Sequence, residues 1–228
     1  MKKNIYKRMY EVKGRPDLMD NSRIKVMLNI INNLDIKRKK ILDIGCFDGT
    51  FLSLIKNRDN QFYGIDASDY AVKSCRKKGI KVTQFFFDDV AKIPFEDKFF
   101  DLVTAGEIIE HIYDTDFFLR EIKRILKPKG YLLISTPNIA SLGRRILLLL
   151  GINPIIEISP NEIDSPGHIR YFTFKTLEGL LEKHGLKVLQ TRSDVLNLSA
   201  DGKIKSLRIP KIFPTIGQSI ICLCQKKA

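Results

Sequence analysis

Several things are scarce in this chain. Cysteine occurs four times in 228 residues, as Cys46, Cys75, Cys222 and Cys224. That spacing fits no zinc site, and Cys222-x-Cys224 would put both thiols on one face of a strand. Buried free thiols in a reducing cytoplasm are expected, with no metal. No long apolar run exists: the longest, Ile146 to Ile152, is interrupted by Gly151 and is far too short to span a bilayer. The N-terminal stretch MKKNIYKRMYEVKGRPD has no apolar segment after its basic residues, so no signal peptide is expected. Repeats and low-complexity tracts are lacking.

Acidic residues are also short. Asp and Glu number 26 against 39 Lys and Arg, giving a formal charge of +13, and none follows Asp201. Such a balance favours anionic partners: phosphates, nucleic acid or an acidic membrane surface. A lysine-rich surface kept for solubility explains it equally well, because the charges are scattered. With 44% hydrophobic and 29% charged residues, the chain is composed like a folded protein with one sizeable core.

The pattern alternates strands and helices. Ser22 to Leu34 spaces Ile24, Leu28, Ile31 and Leu34 on one helical stripe. KKILDIG is a short apolar run ending in glycine, a buried strand. Helices are expected over Thr50 to Lys56 and Asp69 to Lys77, with strands over Gln61 to Ile65 and Lys81 to Phe86. Phe99 to Ala105 is a fourth strand. Thr115, as a cap, starts a helix to Leu126; Lys127 to Gly130 is a turn, and Tyr131 to Ser135 a fifth strand. Thr173 caps a helix ended by Gly185, followed by strands over Leu186 to Thr191 and Ser219 to Gln225. This is a parallel sheet built of βαβ units. Ala140 to Gly167 breaks the rhythm, as a lid or an irregular insertion.

Four sites fall at carboxyl ends of consecutive strands, where open parallel sheets bind ligands. The first is the glycine loop from Asp43 to Thr50. Its G-x-x-x-G pattern is neither a dinucleotide fingerprint nor a P-loop. The second is Asp66, placed to accept hydrogen bonds from two ribose hydroxyls or to cap a helix. The third is Asp88-Asp89, within reach of an adenine amino group. The fourth is Gly106 to His111.

ILDIGCFDGTFL, YGIDAS, FDDVAKIPFEDKFFDLVTAGEIIEHI and EIKRILKPKGYLLISTPN, in this order and spacing, resemble the successive motifs of class I S-adenosylmethionine-dependent methyltransferases. GHIRYFTFKTLEGLLEKHGLKV resembles a segment of the branch that methylates quinone precursors, sugars and other small metabolites. The resemblance implies a Rossmann-like, seven-stranded, mostly parallel sheet with helices on both faces and a C-terminal antiparallel strand. It implies a helical segment over 1–40, then a methyltransferase domain over 41–228 in which 140–170 serves the acceptor. S-adenosyl-L-methionine is the implied cofactor. Gly45, Cys46 and Gly49 match the loop around its methionine part, with Asp43 supporting it. Asp66 matches the ribose-binding acid, Ala67 the residue beside the adenine, and Asp89 and Val90 the adenine-amino position. Gly106 and Glu107 match the segment passing the methionine. Phe47 departs from the pattern, replacing a glycine usual there.

A hydroxyl acceptor needs a base, a carboxylate acceptor none. His111 and His168 are the candidate bases. For His111 the alternative is a structural hydrogen bond between strand four and the next helix; for His168 it is a lid anchor. His184 is expected at an exposed helix end, and Tyr6 and Tyr10 either fold over the cofactor or belong to a tail. The acceptor is expected to be small or lipid- or carrier-linked. Arg144 and Arg145, followed by the apolar run, suit either contact with a membrane surface or a lid helix packed on the acceptor cavity. The rival readings are an RNA or protein methyltransferase using the basic surface, a non-catalytic cofactor-binding module and an NAD-linked dehydrogenase. Thr104-Ala-Gly-Glu107 is not the Asn/Asp-Pro-Pro-aromatic element of base-methylating enzymes, which disfavours nucleic acid.

Overall fold

The structure, a computed structural model, describes residues 21–34, 36–55, 59–87, 91–154, 167–197 and 204–227. Asp88, Asp89, Val90, Tyr6, Tyr10 and 155–166 of the expected acceptor segment lie outside these.

Asn21 starts the first helix, its side-chain oxygen accepting from the Arg23 and Ile24 amides at 3.0 and 3.2 Å. Helix α1 (Ser22–Asn32) buries Ile24, Met27, Ile30 and Ile31. Strand β1 (Lys40–Ile44), helix α2 (Thr50–Ser53), strand β2 (Gln61–Asp66), helix α3 (Asp69–Lys77) and strand β3 (Lys81–Gln84) follow. Next come β4 (Phe100–Gly106), a 3-10 turn over Ile109–His111, α4 (Thr115–Ile125), β5 (Leu126–Pro137) and α5 (Leu142–Leu149). The chain continues through α6 (Phe174–Lys183), β6 (Leu186–Arg192), β7 (Leu196–Asn197) and β8 (Lys205–Ser206), to α7 (Ile209–Ile212), a 3-10 turn (Pro214–Ile216) and β9 (Ser219–Lys226).

The main sheet has the order β3-β2-β1-β4-β5-β9-β6. β9 enters antiparallel between β5 and β6, and the other neighbours are parallel. The Rossmann-like arrangement expected from the sequence is therefore present. The parallel strands end on one edge, and the order reverses between β1 and β4, the switch point at which such sheets open a crevice.

Successive strand residues feed opposite faces. Leu42, Val103 and Leu132 pack with Phe118 and Ile122 of α4 and Leu177 and Leu181 of α6. Ile41, Leu102 and Leu133 pack on the other face with α1, Leu52 and Cys75. Helices thus cover both faces.

Three local expectations are corrected. Asp114, not Thr115, caps α4: its Oδ1 accepts from the Phe117 amide at 2.7 Å, and a carboxylate one residue earlier reaches the third amide of the helix. The turn at Lys127 to Gly130 is absorbed into β5. Leu126 already pairs with Phe100, the register shifts before Leu102, and Lys129 takes a φ of +61°. His184 is not at an exposed end: its Nε2 meets Asp116 Oδ1 at 2.7 Å, which draws the ring against α4.

Candidate active site

The loop after β1 is shaped by three left-handed residues: Gly45 (φ +73°), Phe47 (φ +46°) and Gly49 (φ +76°). Such a conformation costs a residue with a side chain about 1–2 kcal/mol, which is the physical reason glycine is usual at the Phe47 position. Neighbouring contacts offset that strain. The Phe47 amide donates to Asp66 Oδ2 at 3.0 Å, and the Phe47 ring lies 5.8 Å from Tyr70 of α3. Gly45 has no room for a Cβ, which would run into Ile108. Gly45 and Cys46 both donate their amides to the Ile65 carbonyl, at 2.8 and 3.2 Å. The Cys46 thiol points inward, 3.6 Å from the Cys75 sulfur, so only its backbone serves the loop. All four cysteines are free and buried.

Asp66 ends β2 and is buried. Its second oxygen accepts from the Ser68 amide at 2.9 Å, so one carboxylate ties the glycine loop to the start of α3. Ser68, not Asp66, holds the helix-cap position. Burial raises the Asp66 carboxyl above its ordinary range. Ala67 follows, its carbonyl accepting from Gln84 at 3.1 Å. Asp43 lies beneath the loop and accepts from the Thr104 hydroxyl at 2.6 Å. Burial pushes its carboxyl up to about 7, against that hydrogen bond.

Gly106 and Glu107 leave β4 toward the same crevice. A Cβ on Gly106 would sit 2.9 Å from the Arg23 guanidinium, which reaches across from α1. Arg23 also donates to Ser135 Oγ at 3.2 Å and lies 3.5 Å from Glu107 Oε1. Glu107 takes a φ of +57° and keeps Oε1 buried, without a hydrogen bond among the described residues. Burial raises its carboxyl, while Arg23 opposes the rise.

Glu110 is buried to 1% exposure and accepts from the Thr136 hydroxyl at 2.9 Å. Burial, and then the Glu107 charge, push its carboxyl up to about 8. Its backbone carbonyl accepts from the amides of Ile169 and Arg170, at 2.9 and 3.1 Å, strapping the segment before α6 to the 3-10 turn after β4. His168 thereby comes within 3.9 Å of Glu110 Oε1, and its ring centroid within 5.0 Å of that of His111. His111 Nδ1 lies 3.1 Å from the Gly167 carbonyl. This contact ties His111 to the segment before α6. The ligand atoms of Glu110, His111 and His168 lie within 4.8 Å of one another, so this trio can hold a divalent cation.

The sequence-predicted residues Asp43, Gly45, Cys46, Gly49, Asp66, Ala67, Gly106 and Glu107 all meet on the carboxyl edge between β1, β2 and β4, and His111 and His168 lie together beside Glu110. Sequence reasoning missed Arg23, Ser135 and Thr136, and gave Glu110 no role. Arg23 carries no local signal, since α1 was legible only through its apolar stripe. An open depression of about 640 Å³, lined by Lys92 to Asp97, Phe99 and Arg124, lies at the opposite end of β4 and touches none of these groups.

The buried, unbonded oxygen of Glu107 and the adjacent Arg23 match the ammonium and carboxylate of a methionine moiety. Asp66 retains lone pairs for ribose hydroxyls. The residues present thus fit S-adenosylmethionine. Comparison with known proteins agrees. The human mitochondrial ubiquinone biosynthesis O-methyltransferase is 30% identical over 158 residues, covering 65% of this chain and 42% of that protein. A fatty-acid O-methyltransferase of Mycolicibacterium smegmatis is 31% identical over 121 residues, covering 51% of this chain and 44% of that one. The aligned stretches span 36–54% of the lengths of such curated relatives. In fold, a methyltransferase of Thermotoga maritima superposes with a TM-score of 0.65 over 98% of this chain and 95% of its own, at 19% identity. Residues 19–191 match the methyltransferase domain family, and the chain belongs to that family, the class I S-adenosylmethionine-dependent methyltransferases.

Proposed function

We propose that this chain transfers the methyl group of S-adenosylmethionine to an oxygen of a small or carrier-linked acceptor. The bound cofactor supplies a sulfonium methyl that is already electrophilic. Asp66 receives its ribose hydroxyls, and Arg23 and Glu107 offer opposite charges to its methionine end. A bound sulfonium would favour the ionised forms of Asp43, Asp66, Glu107 and Glu110, whose carboxyls burial raises in its absence. An acceptor hydroxyl in the crevice would lie within reach of His168. His168 would take the hydroxyl proton as the oxygen–carbon bond forms and the carbon–sulfur bond breaks, with S-adenosylhomocysteine as the leaving product, and Glu110, ionised by the neighbouring positive charge, would stabilise the imidazolium.

The observation that carries this reading is the placement of His168 against a buried carboxylate beside Glu107. The names of the human and mycolicibacterial relatives, both O-methyltransferases, support an oxygen acceptor. Four buried free thiols support a reducing, cytoplasmic location, and among the described residues no helix is long and apolar enough to cross a membrane. The test is to incubate the chain with S-adenosylmethionine and panels of phenols, sugars and fatty acids, reading products by mass. A methylated hydroxyl supports the reading; methylation confined to amines or nucleic acid overturns it.

A further inference from the structure

Two apolar segments leave the same rim of the sheet, where β5 ends. Asn138 builds that rim: its side chain donates to the carbonyls of Thr215 and Gly217 at 3.0 and 2.9 Å. Arg145 of α5 donates to the Thr215 carbonyl as well, at 3.0 Å. Helix α5 therefore starts beside the turn that follows α7.

None of the residues of α5 is buried. Leu148, Leu149 and Leu150 are 67, 86 and 68% exposed, and Ile212 and Phe213 at the end of α7 are 73 and 61% exposed. An eight-residue helix with no fully buried residue is marginal in water. Yet this one is closed deliberately by a Schellman motif, with Gly151 at φ +73° and the Ile152 amide donating to the Leu147 carbonyl at 2.8 Å. A cluster of exposed leucines held in this way requires an apolar partner.

Charge selects the partner. The two segments, 142–154 and 204–215, carry Arg144, Arg145, Lys205, Arg208 and Lys211 and no acid. Among the described residues none of these five cations has a carboxylate partner. A second copy of this rim would bring like charges together. The N-terminal residues 1–20, with six basic and three acidic side chains, would also be repelled. An anionic lipid surface satisfies both the leucines and the cations.

We propose that this rim docks on an anionic bilayer, with α5 and the α7 turn lying in the headgroup layer. The docking goes beyond the methyl-transfer reading and does not depend on it. It sets the carboxyl edge of the sheet, and so the crevice, against the membrane.

The test is co-sedimentation of the full chain with vesicles of phosphatidylcholine alone or mixed with phosphatidylglycerol. Binding to the anionic vesicles is expected to exceed that to neutral ones by at least about tenfold and to weaken in high salt, each cation near such a surface being worth about fivefold. Leu149→Glu with Ile212→Glu should reduce it by at least about tenfold. Both sites are solvent-facing, and an unchanged melting curve and S-adenosylhomocysteine affinity confirm that the variant is folded. The proposal is overturned if the wild type binds no anionic vesicle. It is overturned equally if the double variant binds as before, or if its only effect is to dissociate a dimer.

Discussion

Asp66 Oδ2 accepts the amide of Phe47 at 3.0 Å, across the gap between the end of β2 and the glycine loop. The residue proposed for the ribose is thus also the brace of the glycine loop proposed to hold the methionine end. Asp66→Ala should weaken S-adenosylhomocysteine binding by about 1–3 kcal/mol and also lower the melting temperature, since a buried amide loses its acceptor. Calorimetry on the folded variant checks this. An unchanged dissociation constant with a lowered melting point would leave Asp66 as a brace alone.

Gly45→Ala should be more damaging than its size suggests. The φ of +73° costs about 1–2 kcal/mol for alanine, and the new methyl meets Ile108. Adding Ile108→Ala should recover only the steric part of the loss. Full recovery of cofactor affinity in the double variant would show that backbone conformation at Gly45 does not matter.

The crevice predicts a pH dependence of stability without cofactor. An unfolded glutamate ionises near its ordinary 4.5, whereas Glu110 in the fold holds its proton up to about 8. Its contribution is therefore fully present below 4.5 and lost as pH rises through 8. Asp43, raised from 3.8 to about 7, adds in the same direction. Denaturant titrations from pH 5 to 9 should show stability falling by on the order of a few kcal/mol. Glu110→Gln should flatten the upper part of that fall. A variant that keeps the wild-type slope would remove Glu110 as its source.

The strand-end acids and glycines were legible because each sits at a fixed place in a βαβ unit: Asp66 closes an apolar run, and Gly45 and Gly49 punctuate one. The Thr173 cap was equally plain, and the structure confirms it with a capping box to Thr176. Arg23 and Ser135 were not legible, because their meeting spans 112 residues and depends on how α1 crosses the sheet. The partnership of Glu110 with His168 was hidden for the same reason. The hydrogen bonds from Ile169 and Arg170 to the Glu110 carbonyl, which create it, are backbone contacts that leave no mark on side-chain pattern. The exposure of α5 was likewise unreadable, since its leucines would look the same in a packed lid.

His168→Ala should lower turnover on a hydroxyl acceptor by about 10²–10⁴-fold with cofactor affinity unchanged. A chelator should leave the wild-type rate intact if His168 acts as a base. Loss of activity on chelation, restored by a divalent cation, would assign the Glu110–His111–His168 trio to metal binding instead. A loss confined to acceptor KM would make His168 an anchor of the acceptor segment.

The most direct measurement of the account is a calorimetric titration of the purified chain with S-adenosylhomocysteine and, separately, with NAD. The arrangement of Asp66, Gly45, Glu107 and Arg23 predicts saturable one-to-one binding of S-adenosylhomocysteine, weakened in Asp66→Ala, and no heat with NAD. Saturable binding of NAD, with none of S-adenosylhomocysteine, would contradict it.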